Sequence, residues 1–335
     1  MPRVSVLLSV RNGAPTLGRA LDSILHQTYT DWEAVLVNDG STDDTPHILS
    51  GYQAKDARFR VVHRPAEGLV SALNAGLELC TGEYLARMDA DDVCYPDRLE
   101  KQAAHLDANP DTGIVSSQVR HLGNADTQQG YAQHVAWLNS LLTHEEHWQQ
   151  RFIDQPLANP SAVLRREIFE AIGTYQQGDF PEDYEFWLRC LQAGYRMEKL
   201  PVVLLDWYDL PTRATRNLRM YREDAFQNTK ARYWALWAQE NLMKDTQVWI
   251  WGVGKEVRRK SAFLTEHGWS PSAYIDVTQR KQFQGKPVIH FSQIHNIPEP
   301  RHLLIYVSNR LGKEQIQQYL DVNGFTPGED YHFMC

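Results

Sequence analysis

Cysteine is scarce in this chain, which has four cysteines among 335 residues. They stand far apart, at Cys80, Cys94, Cys190 and Cys335, and no two form a CxxC pair. Structural zinc sites and disulfide frameworks both need cysteines at characteristic spacings. The spacing therefore predicts reduced thiols, as expected of a cytoplasmic protein.

Long apolar segments are also missing. The chain has no stretch of about 18 apolar residues, the length that predicts a membrane-spanning helix. The opening segment MPRVSVLLSV has one arginine and then a short apolar run. That run is too brief for a signal peptide and predicts a first strand. We expect no membrane-spanning segment, and peripheral contact with the inner face of the cell membrane stays open.

Positive charge is in deficit. The chain has 34 lysines and arginines against 42 aspartates and glutamates, which gives a net charge of −8. This balance argues against broad binding of nucleic acid. A single nucleotide can still bind an acidic protein when a metal ion bridges the two negative partners. The length is enough for two domains with ordinary apolar cores.

Strand and helix patterns alternate along the first part of the chain. Continuous apolar runs predict buried strands at Val4–Val10, Trp32–Asn38, Arg58–His63 and Glu83–Met88. Helical spacing predicts helices between them at Thr16–Gln27, Asp44–Ala54 and Leu69–Leu79. The alternation indicates an α/β fold with a mainly parallel central sheet.

The later part is less regular up to residue 210 and then repeats the pattern. Further helices are predicted at Leu99–Asn109, Tyr184–Ala193 and Arg213–Gln239, with a strand at Ile114–His121 in a partly antiparallel region. A second βαβ pattern follows, with strands at Trp249–Trp251, Ala273–Asp276 and Leu303–Val307 and helices at Glu256–His267 and Lys313–Asn323. We predict a first domain over 1–212, a helical connector over 213–245 and a small Rossmann-like α/β domain over 246–335.

An acidic cluster, Asp89-Ala90-Asp91-Asp92, directly follows the fourth predicted strand. Two carboxylates separated by one residue can reach one hard cation, with help from diphosphate oxygens. Ligands of open α/β sheets lie beyond the carboxyl ends of the strands, where Asp39 is also expected. The alternative is a solvated turn in which Asp92 caps the next helix. A calcium loop is excluded because Cys94 stands where that loop needs glycine.

Three segments resemble the family 2 glycosyltransferases, which have the GT-A fold. The segments are SVLLSVRNGAPTLGRALDSILHQTYTDWEAVLVNDGSTDDT, GLVSALNAGLELCTGEYLARMDADD and PEDYEFWLR, at residues 5–45, 68–92 and 181–189. They stand in the family's order and spacing, and the likeness covers roughly residues 3–240. The resemblance implies an inverting, metal-dependent bacterial enzyme. It also implies a UDP-hexose or UDP-N-acetylhexosamine donor and a glycan or lipid-linked acceptor in cell-surface polysaccharide synthesis.

The resemblance also implies individual roles. Asp39 would hydrogen-bond the nucleotide base, and the backbone at Val10, Arg11 and Asn12 would line the same pocket. Asn74 and Arg87 lie in segments that match the donor side.

The remaining implied roles concern the reaction. Asp91 would bind Mn²⁺ or Mg²⁺ directly, and Asp89 would lie beside the ribose and the metal. Asp183 would be the catalytic base, which takes a proton from the acceptor hydroxyl as that oxygen attacks the anomeric carbon. The QxxRW motif of processive synthases is absent, which favours transfer of a single sugar.

The second domain leaves its role open. Gly252-Val253-Gly254 follows a strand and opens a helix, as in dinucleotide sites, and Asp276 stands where a ribose-binding acid is expected. However, Val257 occupies the position of the third glycine. We therefore keep open a non-binding module, a nicotinamide-dependent oxidoreductase and a non-catalytic sugar-nucleotide scaffold. The tail residues could serve docking, homodimer formation or acceptor recognition.

Two further charged patterns carry weaker predictions. The segment His144–His147 lacks the spacing of a zinc-binding HExxH motif and predicts a polar helix face. Arg213, Arg216, Arg219 and Arg222 recur every third residue. On a helix they would form a basic stripe, either solvated or in contact with a phosphate-bearing lipid or an anionic membrane.

Overall fold

The structure is a computed structural model that describes residues 1–123, 129–210, 218–278 and 280–335. These residues form two compact units. The first unit contains the described residues of Met1–His147, Pro156–Gly178 and Glu182–Asn217. The second contains those of Trp148–Gln155, Asp179–Pro181 and Leu218–Cys335.

The first unit is built on a sheet of eight strands. In chain order these are β1 Val4–Val10, β2 Trp32–Asp39, β3 Phe59–Arg64, β4 Tyr84–Arg87, β5 Val93–Cys94, β6 Thr112–Leu122, β7 Val163–Arg165 and β8 Arg196–Tyr208. Their order across the sheet is β3-β2-β1-β4-β7-β6-β8-β5. Strands β3, β2, β1 and β4 are parallel, whereas β7 is antiparallel to both of its neighbours.

Eight helices among the described residues accompany this part of the chain. They are α1 Ala14–Leu25, α2 Thr45–Lys55, α3 Leu69–Leu77, α4 Arg98–Ala108, α5 Gln129–Ser140, α6 His144–Gln150, α7 Glu167–Ile172 and α8 Glu182–Gln192. The predicted alternation of parallel strands and helices is therefore present in the first 90 residues or so. The antiparallel pairings come from β5 and β7, two short strands that the sequence patterns did not indicate.

Burial explains why the parallel half forms. All eight residues of β2 are buried, because helices can cover both faces of a parallel sheet. Helix α1 buries Leu17, Ala20, Leu21 and Ile24, which recur on one face at helical spacing. Each fully buried leucine or isoleucine contributes about 2 kcal/mol of hydrophobic stabilisation.

Helix α3 lies very close to the sheet, and glycine makes this approach feasible. A Cβ atom on Gly76 would lie 2.3 Å from Leu7 Cδ1 and 2.9 Å from Val37 Cγ2. Real Cβ atoms do not approach other atoms so closely. The close packing fixes α3 against β1 and β2, and Gly68, which precedes α3, lies beside Asp39 at the carboxyl edge of the sheet.

The second unit has a sheet of its own. Its strands are β9 Gln247–Trp251, β10 Ala273–Asp276, β11 Gln282–Phe283, β12 Lys286–His290, β13 Arg301–Ile305 and β14 Tyr331–Phe333. Its helices are α9 Glu223–Asn241, α10 Lys255–Glu266 and α11 Arg310–Val322. The strands β12-β10-β9-β13-β14 are parallel throughout. If the short β11 is left out and β9 is counted as the first strand, their order is 3-2-1-4-5. This is the order found in doubly wound dinucleotide-binding folds.

Two predictions about charged patterns are wrong in this structure. His147 is fully buried rather than part of a polar face, and burial lowers its pKa well below the ordinary value. Helix α9 begins at Glu223, so Arg219 lies in a short 3-10 turn and Arg222 precedes the helix. These two arginines do not share a helical stripe, while Arg213 and Arg216 lie outside the described residues.

No helix among the described residues combines the length and the apolar character needed to cross a bilayer. The four cysteines are free thiols, and three of them are buried.

Candidate functional site

The carboxyl edge of β1 and β2 is held together by their two following loops. Asn12 has a left-handed φ of 53°, and its Oδ1 accepts a hydrogen bond from the Thr42 amide at 2.8 Å. The Asn12 amide in turn donates to Ser41 Oγ at 2.9 Å. Val10 ends β1 directly before this loop, and Arg11 is exposed. Three of the predicted donor-side residues therefore lie together at the expected edge.

Asp39 ends β2 at the same edge and is nearly buried, with 4% of its surface exposed. Its Oδ1 accepts a hydrogen bond from the Glu67 amide at 2.8 Å, and its Oδ2 accepts one from the Gly68 amide at 3.1 Å. Gly68 has a φ of 96° and directly precedes α3. Asp39 thus fixes the loop before α3, and its carboxylate retains lone pairs that can accept from a ligand N–H group.

The acidic loop, Asp89–Asp92, follows β4. Carboxylate oxygens of Asp89, Asp91 and Asp92 all lie within 4.8 Å of one another. Oxygen atoms from several carboxylates are the donor set that hard divalent cations prefer. Such close carboxylates also repel one another, and a bound cation would relieve that repulsion. The donor set therefore fits a divalent metal.

The three carboxylates differ in their surroundings. The Asp89 side chain is 34% exposed. Asp92 is 1% exposed, and its Oδ1 accepts a hydrogen bond from the Tyr208 amide at 2.8 Å. Helix α4 begins at Arg98 with Asp97 as its N-cap residue, so the alternative that Asp92 caps this helix is wrong. Asp92 ties the acidic loop to the end of β8 instead.

Arg87 is the buried cation beside the acidic loop. Its Nη2 donates to Asp89 Oδ1 at 3.0 Å, and its Nη1 donates to the Leu7 carbonyl at 2.8 Å. Burial opposes its charge, but Asp89, Tyr175, Glu182 and Asp183 together raise the pKa of the guanidinium above its ordinary value. Arg87 therefore pairs directly with Asp89 and also interacts electrostatically with Glu182 and Asp183.

Asp183 lies in the first turn of α8 and is 7% exposed. Its Oδ1 accepts a hydrogen bond from the Tyr184 amide at 2.7 Å. A carboxylate in this position is stabilised as an anion by the positive end of the helix dipole. The structure thus brings the predicted base into the same charged neighbourhood as Arg87.

Asn74 is engaged with the main chain of Tyr175. Its Nδ2 donates to the Tyr175 carbonyl at 2.8 Å, and its Oδ1 accepts from the Tyr175 amide at 3.1 Å. This reciprocal pair joins α3 to the segment that leads toward α8. In this structure Asn74 therefore supports the site through the backbone of Tyr175.

Three residues of the site escaped the sequence analysis. Tyr175 is buried near Arg87 and Asp183, and burial raises the pKa of its hydroxyl. Arg19 donates to the main-chain oxygen of Asp91, and its guanidinium stacks on Tyr208. Their positions in the sequence carry no local signal, because the contacts of Arg19 with Asp91 and Tyr208 join segments more than 70 residues apart, and Tyr175 is similarly distant in sequence from Arg87.

In the second unit, the turn Gly252-Val253-Gly254 connects β9 to α10. Gly252 has a φ of 120°, and a Cβ atom there would lie 2.9 Å from Val257 Cγ2. Val257 therefore packs onto the turn at the position of the missing third glycine. Asp276 ends β10, and its Oδ1 accepts a hydrogen bond from the Thr278 amide at 2.9 Å.

A model of the protein family described as glycosyl transferase family 2 matches residues 5–173. The chain belongs to this family. An uncharacterized glycosyltransferase of Haemophilus influenzae is 30% identical over 201 residues, which are 58% of this chain and 61% of that relative. The amylovoran biosynthesis glycosyltransferase AmsE of Erwinia amylovora is 32% identical over 207 residues, covering 60% of this chain and 74% of AmsE.

Solved structures confirm the predicted GT-A fold for most of this family 2 member. Residues 1–349 of Staphylococcus aureus TarS, in complex with UDP-GlcNAc, match with a TM-score of 0.56 and 17% identity, over 79% of this chain and 71% of that one. The mannosyltransferase PcManGT of Pyrobaculum calidifontis, in complex with GDP-Man and Mn²⁺, matches with a TM-score of 0.53 and 23% identity. The match covers 78% of this chain and 70% of the PcManGT chain.

Proposed function

We propose that this family 2 member transfers one sugar from a nucleotide-sugar to a hydroxyl of a glycan or glycolipid, with a divalent metal and with inversion of the anomeric carbon. The observation that carries the proposal is the acidic loop, whose three carboxylates lie within 4.8 Å of one another at the carboxyl edge of the sheet. Ligands of open α/β sheets bind at this edge. The electrostatic link through Arg87 to Asp183 supports a reaction centre at the same place.

The nucleotide binds beside Asp39 and the loop of Val10, Arg11 and Asn12. Asp39 accepts a hydrogen bond from the base, and its own bonds to the Glu67 and Gly68 amides hold it in place for that contact. The donor is a UDP-hexose or a UDP-N-acetylhexosamine. TarS, a structural neighbour that was solved with UDP-GlcNAc, supports this choice. PcManGT, solved with GDP-Man, makes GDP-sugars the donors to compare.

Asp91 and Asp89 would hold the metal, Mn²⁺ or Mg²⁺, while Asp92 keeps the loop attached to Tyr208. When bound, such a cation offsets the negative charge that develops on the departing diphosphate. The Mn²⁺ in the structural neighbour PcManGT supports a divalent metal in this fold. Arg87 keeps Asp89 oriented through the contact of its Nη2 with Asp89 Oδ1.

Asp183 is the catalytic base. Its carboxylate accepts the proton of the acceptor hydroxyl while that oxygen forms a bond to the anomeric carbon. The bond from the anomeric carbon to the diphosphate oxygen breaks, and the diphosphate leaves with the electron pair. Attack from the face opposite to the leaving group inverts the configuration.

The acceptor is a growing cell-surface glycan on a lipid carrier, reached by peripheral contact at the inner face of the membrane. The relative AmsE is named for the biosynthesis of the polysaccharide amylovoran, which supports a polysaccharide pathway.

The test is release of nucleoside diphosphate from UDP-glucose, UDP-N-acetylglucosamine and GDP-mannose, with and without Mn²⁺ or Mg²⁺. We expect release from a UDP-sugar that needs the metal and falls at least about 100-fold in Asp91→Ala and Asp183→Asn, because each removes a group acting in the reaction. Asp111→Ala, an exposed carboxylate outside the site, is the matched control and should retain activity.

Two results would contradict the proposal. Release that ignores metal and survives Asp91→Ala would refute a metal-dependent transferase. Tight binding of a UDP-sugar without turnover on any acceptor would indicate a sugar-nucleotide-binding scaffold instead.

A further inference from the structure

The main-chain oxygen of Asp91 is held by a side chain from another element. Arg19 lies in the second turn of α1, and its Nη2 donates to this oxygen at 2.7 Å. Helix α1 starts directly after the loop that follows Val10 and contains Asn12. Arg19 therefore connects the helix behind the candidate nucleotide loop to the candidate metal loop.

The same guanidinium lies over the ring of Tyr208, with Cζ 3.6 Å from the centre of the ring. The Tyr208 amide donates to Asp92 Oδ1 at 2.8 Å. Arg19 and Tyr208 thus form one stacked pair that contacts two successive residues of the acidic loop. Asp91 is held through its backbone and Asp92 through its carboxylate.

This arrangement needs the shape of arginine as well as its charge. One edge of the planar guanidinium donates to Asp91 while its face stacks on Tyr208. A lysine ammonium can donate to the same oxygen, but it has no planar face to stack. A hydrogen bond to the backbone of a ligand residue restricts where its carboxylate can point. Contacts of this kind, made by residues that do not touch the metal, orient the ligands and so tune the affinity for the metal.

We propose that Arg19 is a positioning residue of the acidic loop, which it holds in the conformation that binds a divalent cation. The proposal rests on the metal site of the proposed function. It assigns Arg19 no contact with the substrate. Its effect reaches the cation through the backbone of Asp91 and through the stacked ring of Tyr208.

The test is titration of the full chain with Mn²⁺ alone, followed by the loss of the free-ion signal in electron paramagnetic resonance. Arg19→Met should raise the Kd for Mn²⁺ about tenfold or more, the usual effect of losing an outer contact to a metal ligand. Arg19→Lys should recover only part of that loss, because it restores the charge without the stacking.

Arg58→Met is the matched control. Arg58 also stacks on an aromatic ring, with Cζ 3.8 Å from the centre of Trp32. Trp32 begins β2 and therefore lies at the sheet edge opposite to Asp39. This variant removes an equivalent stacked arginine, and its Kd should stay within about twofold of wild type because distant sites act independently.

Three outcomes decide the matter. Unchanged Mn²⁺ affinity in a folded Arg19→Met protein overturns the proposal. If this variant does not fold, Tyr208→Ala replaces it, since removing the ring should weaken Mn²⁺ binding in the same direction, and unchanged affinity there also overturns the proposal. Failure of the wild-type chain to bind Mn²⁺ refutes the metal site itself, which distinguishes that failure from a failure of the Arg19 assignment.

Discussion

Acid should destabilise the second unit, because it contains a buried hydrogen-bonded chain of two neutral histidines. His302 Nε2 lies 3.0 Å from His332 Nδ1, and His302 Nδ1 lies 2.9 Å from the Glu329 carbonyl. His332 Nε2 lies 3.3 Å from Nη2 of Arg151. Since arginine can only donate and a carbonyl can only accept, the protons must all point one way along this chain. A further proton on either ring would set two donors against each other.

The magnitude follows from the pKa values. Burial lowers the pKa of His302 to about 3 and that of His332 well below the ordinary value. The unfolded chain binds protons with a pKa near 6.5, so it takes up more protons than the folded state once the pH falls below that value. Above about pH 6.5 the two histidines therefore leave the free energy of unfolding unchanged. Below that pH they lower it progressively as the pH falls. At pH 5 the unfolded His302 gains about 2 kcal/mol from protonation, and His332 lowers the free energy of unfolding in the same direction.

The measurement is native-state hydrogen exchange of peptides from β9 and β13 between pH 7.5 and pH 5, corrected for the intrinsic pH dependence of exchange. His302→Gln should remove the share of His302, about 2 kcal/mol at pH 5, from the decrease in the free energy of unfolding. His295→Gln is the control, because His295 is exposed in the same unit. A change of less than about 1 kcal/mol in the wild type, or an unaltered pH dependence in His302→Gln, would refute the reasoning.

Two further predictions concern packing in the first unit. Gly76→Ala should destabilise the chain by about 1–3 kcal/mol in urea denaturation, because its Cβ would overlap Leu7 Cδ1. Gly51→Ala, in α2 with no atom within 4 Å of the new Cβ, should stabilise it by about 0.5–1 kcal/mol, and equal effects of the two changes would contradict the packing argument. Asn74→Ala should lower stability by about 1–3 kcal/mol in the same assay, because two hydrogen bonds to the Tyr175 backbone are lost. An unchanged urea denaturation curve for Asn74→Ala would show that this pair of hydrogen bonds contributes little to stability.

The parallel half of the first unit was predictable because its information is local. Strand β1 has the predicted bounds Val4–Val10, since a continuous apolar run is the mark of a strand covered on both faces. Helix α1 starts two residues earlier than predicted, at Ala14, because Pro15 is tolerated in a first turn, where its missing N–H needs no partner. Parallel strands also bring Asp39 and Asp89 to one edge without further information.

The features that the sequence did not predict depend on contacts between segments that are distant in the chain. Strand β7 has three residues and forms only because β4 and β6 lie on its two sides. His147 looked polar in sequence, and nothing local signals that tertiary packing buries it. The strand order of the second unit likewise depends on which crossover connections pack together. The domain limits at 212 and 245 stay predictions.

The acidic loop marks the limit of a local motif most clearly. Spacing alone predicted that Asp89 and Asp91 could share a cation, but it gave no reason for them to hold one conformation against their mutual repulsion. That reason lies in three contacts from outside the loop, made by Arg87 to Asp89, by Arg19 to the Asp91 backbone and by Tyr208 to Asp92. Since two of the three come from α1 and the end of β8, we expect a DxD sequence without these partners to be a weaker cation site. The same carboxylate spacing can therefore bind metal in one α/β protein and remain a solvated turn in another.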